Sequence, residues 1–404
     1  MKYKSKTIYM LATISILLTM ISFSIALTST QVLMKEIIQE FSLLGANQGM
    51  TNSCFNFGSL IAVISISFLK GRISKWFMLA ASVLLMSFSM FFIGNSPFFF
   101  LVLIFCLFAG TFGGWIDGYA NAMTMDLHKQ SSAKYISFLQ GSYALGAMLT
   151  PIIIHFLMLT LNWRDAYTIL SSLVFIAALQ CIVISRICSN KIKTNEIAEK
   201  RLTIREVKNF AGDKYNLLLI IACLFYSAAQ TGQVSWMVRY MDMAYPDSGI
   251  WIQATISLYW FGIFLTRMFS PLLKLNPLKM IIFGMAASAV MHSVGIFSGQ
   301  MFVFIVLTVF CGICIGTVMP VLINESLSRY RGNTSLALSG MYVSSKVGMV
   351  AMPALMGTFA AYSINFSMIL TDISFVICAI VVFVSLSVKK EGIIKRIFMR
   401  FTGI

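Results

Sequence analysis

Long apolar runs separated by short polar breaks recur from one end of the chain to the other. In the first half they are Thr7–Gln31, Asn47–Phe68, Trp76–Ile93, Phe98–Met123, Tyr135–Met158 and Ala166–Ile187; in the second, Asn216–Met237, Trp251–Leu273, Leu278–Phe297, Phe302–Ile323, Ser335–Phe359 and Asn365–Val388. A hydrocarbon core about 30 Å thick takes roughly 20 apolar residues per helix, and backbone inside it has to satisfy its own hydrogen bonds. The pattern therefore predicts an all-α integral membrane protein with twelve spans, six and six. It divides into an N-terminal half (1–187), a linker (188–215), a C-terminal half (216–388) and a basic tail (389–404).

The halves share one plan. Displaced by 202 residues, Gly110, Gly114, Gly146 and Pro151 fall on Gly312, Gly316, Gly348 and Pro353. At 204, Phe57-Gly58 falls on Phe261-Gly262 and Phe68-Leu69-Lys70 on Leu272-Leu273-Lys274. A duplication at half the chain length predicts two pseudo-symmetric six-helix units, an arrangement common among membrane transporters.

Composition agrees, since 58% apolar against 11% charged residues is far from the roughly 25% charge of soluble domains. The net charge of +16 invites a nucleic-acid reading, which the positions of the basic residues exclude. Lys2, Lys4, Lys6, Lys70, Arg72, Lys75, Lys129, Lys134, Lys274, Lys279, Arg329, Arg331, Lys389, Lys390, Lys395, Arg396 and Arg400 fall on alternate loops, while the opposite loops carry chiefly Lys35, Arg164 and Arg239. The positive-inside rule then places both termini in the cytoplasm. In the linker, Thr203 to Phe210 is expected to form a short helix on the inner leaflet. The first apolar run is too long, and too poor in small residues at its end, for a cleaved signal peptide.

Eight cysteines lie almost wholly within the spans and imply no disulfide framework; Cys311 and Cys314 have no second ligand pair nearby. His128, His155 and His292 are scattered, and there is no P-loop, dinucleotide fingerprint or H-E-x-x-H. Neither an enzyme nor a cofactor or metal site is expected; H+ or Na+ would enter only as a coupling ion.

Polar groups inside lipid are costly and are usually retained for a pathway. Gly113, Asp117 and Asn121 of the fourth span are four apart and share a stripe beside Gly110, Gly114 and Gly118. Small residues at that spacing allow close helix packing, and the acid and amide are expected to face a wet space. Asp117 is the leading candidate for a proton or substrate contact, against the alternative of a packing bond. Lys346 lies near the middle of the eleventh span. It meets Asp117 as a gate, binds an anionic or heavily hydroxylated substrate, or forms a purely structural pair. Asp372, in the outer third of the last span, ranks below both because it could reach the interface. The seventh span presents Gln230, Gln233, Trp236 and Tyr240, amides and rings that suit a polyol, with interfacial anchoring the alternative for the last two. The tenth offers Gly312 and Gly316, then Pro320 and Asn324, without an acid to match Asp117.

On these residues the chain resembles the major facilitator superfamily, over nearly its whole length. GTFGGWIDGYANAM resembles the fourth helix of the fucose permease and sodium–glucose transporter-like branch, with Asp117 and Asn121 at its acid and amide positions. YSAAQTGQVSW resembles that branch's seventh helix and SLYWFGIFLTRMFSPLL its eighth, with Trp260, Gly262 and Arg267 in register. The resemblance implies twelve helices, alternating access and cation-driven uptake, with Asp117 in sugar binding or proton coupling. Departures go with it. Thr28, Ser29, Thr30 and Gln31 stand where that branch places an acid, Gln230 replaces a glutamate, Gln140 replaces a histidine, and the first-loop motif keeps Gly71 and Arg72 but has Phe68 for an Asp. Uniport, coupling through Asp117 alone and sodium coupling stay open.

The expected function is a secondary transporter for a small polar solute, a sugar or sugar-like polyol, with the bilayer and that solute as partners, no nucleic acid, and a monomer in the bacterial inner membrane. The alternatives are an exporter of drugs or metabolites, for which 27 methionines and 34 phenylalanines would line a wide cavity unless most face lipid, an organic-anion carrier using Lys346, and a non-transporting sensor.

Overall fold

The computed structural model describes residues 2–69, 73–189, 210, 212–269, 276–329 and 334–402. The first half contains α1 (Lys2–Val32), a short α2 (Met34–Glu40), a 3₁₀ turn (Gly45–Gly49), α3 (Met50–Leu69), α4 (Lys75–Gly94), α5 (Phe99–Leu127), α6 (Ser132–Met158) and α7 (Trp163–Ser189). The second contains α8 (Lys214–Ala244), α9 (Trp251–Phe269), α10 (Pro277–Phe297), α11 (Met301–Ile315), α12 (Val318–Arg329), α13 (Thr334–Ala360) and α14 (Ile364–Thr402). Among the described residues eleven helical stretches are long and apolar enough to cross a membrane, with α11 and α12 together forming one of them. The predicted eighth span is α9; its remainder to Leu273 lies outside the described residues, as does the predicted linker helix apart from Phe210. Hydropathy marks the apolar slab and not the helix ends, so α5 and α8 outrun the predicted spans. The residues read as a tail continue α14 as far as Thr402.

Side chains cap several helix starts: Asn162 accepts from the Arg164 and Asp165 amides, Asp213 from the Tyr215 amide, and Asn276 from Lys279 N–H ahead of Pro277. Lipid provides no hydrophobic drive between helices, so association rests on close packing. The repeated glycines supply it in matched pairs. Gly58 packs on the backbone of Leu107, and Gly110 on that of Phe55, joining α3 to α5; Gly262 packs on Val309 and Gly312 on Tyr259, joining α9 to α11. Gly146 fits against Ser24 and Ile21 of α1, and Gly348 against Leu224 and Ala228 of α8. Each six-helix unit thus uses the same contacts. Outward faces carry Phe100, Phe108, Phe283, Phe302 and Phe383, exposed as a lipid-facing surface. The methionines behave differently: Met20, Met86, Met90, Met123, Met341 and Met356 are buried within the packing, where a flexible thioether fills irregular gaps.

The units meet along α6 against α9 and along α3 and the 3₁₀ turn against α13. One side of the molecule, where α3 begins and α13 ends, is latched. Gly49 sits directly on the Pro353 carbonyl, Ser53 Oγ donates to the Val350 carbonyl at 2.8 Å, and Lys35 Nζ bonds Asp242 Oδ1 at 2.5 Å. Ser53 meets α13 just before Pro353, which lies inside that helix and has no N–H to return to the Met349 carbonyl. On the opposite, basic side the ion pairs among the described residues, Lys75–Asp126 and Arg329–Asp213, each stay within one unit.

Candidate functional site

Asp117 lies half-buried on α5. One turn on, Asn121 Nδ2 donates to its carboxylate Oδ1 and to its backbone carbonyl, both at 2.8 Å. The stripe read from the spacing is therefore a bonded acid–amide couple that holds the carboxylate toward one direction. Lys346 of α13 and Arg267 of α9 are the cations acting on this carboxylate through space, and Tyr143 of α6 and Tyr342 of α13 also lie within its field. Lys346 Nζ stands 6.0 Å from the centre of the Phe23 ring of α1. Phe23 packs on Tyr143 with centroids 5.4 Å apart, and Tyr143 meets Trp260 of α9 edge-on at 5.5 Å. Gly113 leaves room for the Phe23 ring, which a Cβ there would meet at 2.6 Å. Five helices from both units converge on one acid, one amide, two cations and a run of rings.

Arg267 owes its place to a break in the tenth span. The sequence predicts one helix, Phe302–Ile323; the structure ends α11 at Ile315 and begins α12 at Val318. Pro320 lacks the N–H that would return to Gly316, and the freed carbonyl accepts from Arg267 Nε at 3.2 Å. The neighbouring Ile315 carbonyl takes the Tyr226 hydroxyl at 3.5 Å, and Arg267 Nη1 crosses to the Gln140 carbonyl of the first unit at 3.3 Å. Arg267 is only 8% exposed, and carbonyl dipoles, not a carboxylate, meet its charge.

The other sequence-selected residues divide. Gln230 is buried with its amide nitrogen lacking a partner among the described residues; Gln233, fully buried, accepts the Tyr259 hydroxyl at 3.0 Å and belongs to the α8–α9 packing. Trp236 is neither a cavity wall nor an interfacial anchor. It is wholly buried and donates its indole N–H to the Pro353 carbonyl at 3.1 Å. Asn324 is exposed on α12 beside Glu325, which accepts the Tyr215 hydroxyl, and no described contact joins it to the Asp117 group. The Gly110, Gly114 and Gly118 stripe meets Phe55, Ala62 and Ile66 of α3, and Gly316 meets Thr266 and Ile263 of α9, as packing positions; Pro151 lies inside α6. Asp372 does not reach the interface. It is 4% exposed, bound to His292 Nδ1 and Ser293 Oγ at 2.7 Å each, between α14 and α10.

Sequence reasoning gave Trp260 and Arg267 only through a family pattern and passed over Phe23, Tyr143 and Tyr342. A charge inside an apolar run, the test that selected Asp117, would have selected Arg267 as well; the rings carry no such mark among so many aromatics.

The latch yields a prediction. Lys35 and Asp242 are about one-quarter exposed, and such a pair is worth about 0.2–1 kcal/mol. Lys35→Ala is expected to raise maleimide labelling of a cysteine at Ser53, in a cysteine-free background, by roughly twofold to fivefold. An unchanged labelling rate would remove the pair from the latch.

The sequence profile of the Major Facilitator Superfamily matches residues 12–273. No curated protein matches the chain. Among solved structures it is similar to a bacterial homologue of the human lysosomal transporter Spinster, in an inward-facing and occupied conformation, with a TM-score of 0.71 at 16% identity over 96% of this chain and 97% of that one. It is also similar to the E. coli fucose:proton symporter, with a TM-score of 0.66 at 16% identity over 93% of this chain and 99% of that one. At such identity the likeness is one of fold.

Proposed function

Since the chain belongs to the Major Facilitator Superfamily, a family of multi-pass membrane transporters, we propose that it is a secondary carrier for a sugar or sugar-like polyol, working by alternating access with Asp117 as the proton-coupling group. The observation that carries this reading is the Asp117–Asn121 couple set where the two units converge, across from Tyr143 and Trp260. A carboxylate beside an amide accepts and donates to adjacent hydroxyls, and rings cover the apolar face of a sugar. The fucose:proton symporter among the similar folds is a carrier of this class. The latched side, with the basic side joined by no ion pair between units among the described residues, is what a carrier closed toward one compartment requires. In this reading the basic side is cytoplasmic, both termini lie there, residues 1–187 and 216–388 are the moving units, and the protein works as a monomer in a bacterial inner membrane. Asp117 is the one acid in the group, so coupling runs through it alone.

Counterflow into proteoliposomes without an imposed gradient tests the substrate class, because exchange needs a working carrier but no coupling ion. Labelled hexoses, deoxyhexoses and sugar acids are expected to exchange. Exchange confined to carboxylates without hydroxyls, or to apolar cations, would overturn the polyol reading.

A further inference from the structure

The group around Asp117 holds two cations and one carboxylate, and the surplus charge selects the substrate. Lys346 is 5% exposed, and no carboxylate or hydrogen-bond acceptor among the described residues reaches its Nζ, which stands 6.0 Å from the centre of the Phe23 ring. The ion pairs among the described residues do not include Lys346 with Asp117. Asp117 already receives the Asn121 amide, and Arg267, also buried, is held by the Gly316 and Gln140 carbonyls. The other acid on the converging helices, Asp126 of α5, is bound by Lys75 at the membrane face. Asp117 acts on Lys346 only through space, and a buried ammonium without a counter-charge in contact is strongly disfavoured. An ammonium facing a solute space is relieved when the solute brings a negative charge, and the helical position of Lys346, one turn beyond Tyr342, puts hydroxyl recognition on the same face.

We infer that the carrier's substrate is a polyhydroxylated monoanion, a sugar acid of the aldonate or uronate kind, whose carboxylate docks on Lys346 while its hydroxyls meet Asp117 and Asn121. This rests on the polyol reading above and narrows it to one charge class. With Asp117 ionised, two cations against one acid leave one positive charge over, so a neutral sugar leaves Lys346 unsatisfied.

The test is counterflow with matched solutes, glucose against gluconate and glucuronate, and acetate as the carboxylate without hydroxyls. Wild-type exchange of the sugar acids is expected to exceed that of glucose by roughly tenfold or more, the range of one charged hydrogen bond. Lys346→Gln should abolish that preference, and Lys346→Arg should keep it. Should Lys346→Gln fail to fold, thermal unfolding of the wild type decides, because a ligand that binds the folded carrier raises its unfolding temperature; gluconate is expected to do so at concentrations where glucose does not. Glucose exchanged or stabilising as well as gluconate overturns the inference and leaves the polyol reading intact. Acetate exchanged as well as gluconate, with glucose inert, overturns both.

Discussion

Asp117→Asn is expected to end the response of uptake to an imposed pH gradient and to weaken apparent substrate affinity by roughly 10- to 100-fold, the equivalent of one charge-assisted hydrogen bond at about 1.5–3 kcal/mol. Asparagine fills the same volume and can still take the Asn121 amide, so the folded yield should be preserved and the defect confined to transport. What it cannot do is carry a proton or balance Lys346 and Arg267. Uptake in proteoliposomes, with and without an inside-alkaline gradient, separates the two losses, and wild-type uptake at every pH would dismiss Asp117 from the mechanism. The same charge balance shapes the double variant. Lys346 and Asp117 act on each other through space without a contact pair in this conformation. Asp117→Ala should therefore rescue a Lys346→Ala carrier only in part, because Arg267 then keeps its carbonyl partners but loses the one acid acting on it through space.

What the sequence makes legible is whatever repeats at a helical or duplication period. The glycines aligned at 202 residues reappear as matched backbone contacts in both units, and the four-residue step from Asp117 to Asn121 reappears as a hydrogen bond. Features that depend on how two units dock leave no period behind. Phe23, Tyr143 and Arg267 join Asp117 across three elements far apart in the chain, and His292 meets Asp372 across 80 residues. The duplication also misleads where the copies diverge. Asn324 follows Gly316 much as Asn121 follows Gly114, yet Pro320 breaks that span and Asn324 ends up exposed. Trp236 had the chemistry of a sugar platform, but it is buried with its indole bound to the Pro353 carbonyl of a helix far away in the chain.

The glycine contacts predict a graded series. Gly110→Leu and Gly312→Leu should each abolish the monodisperse folded protein, since a Cβ at either position collides with a backbone carbonyl of the facing helix, Phe55 in one unit and Tyr259 in the other. Where side chains can give way, overpacking costs about 1–3 kcal/mol. Backbone cannot give way without separating the helices, and a total stability of about 5–15 kcal/mol leaves little reserve. Gly118→Ala meets only the tip of Ile66, which can rotate, so it should lower the unfolding temperature slightly. Gly212→Ala meets nothing within 4 Å among the described residues and should be silent. Size-exclusion profiles and thermal unfolding in detergent check the order. The equivalence of Gly110 and Gly312 is the sharper half of the prediction, because it follows from both units having kept the same helix-on-helix contact. A tolerated leucine at one position and not the other would show that the units no longer share the packing their glycines imply.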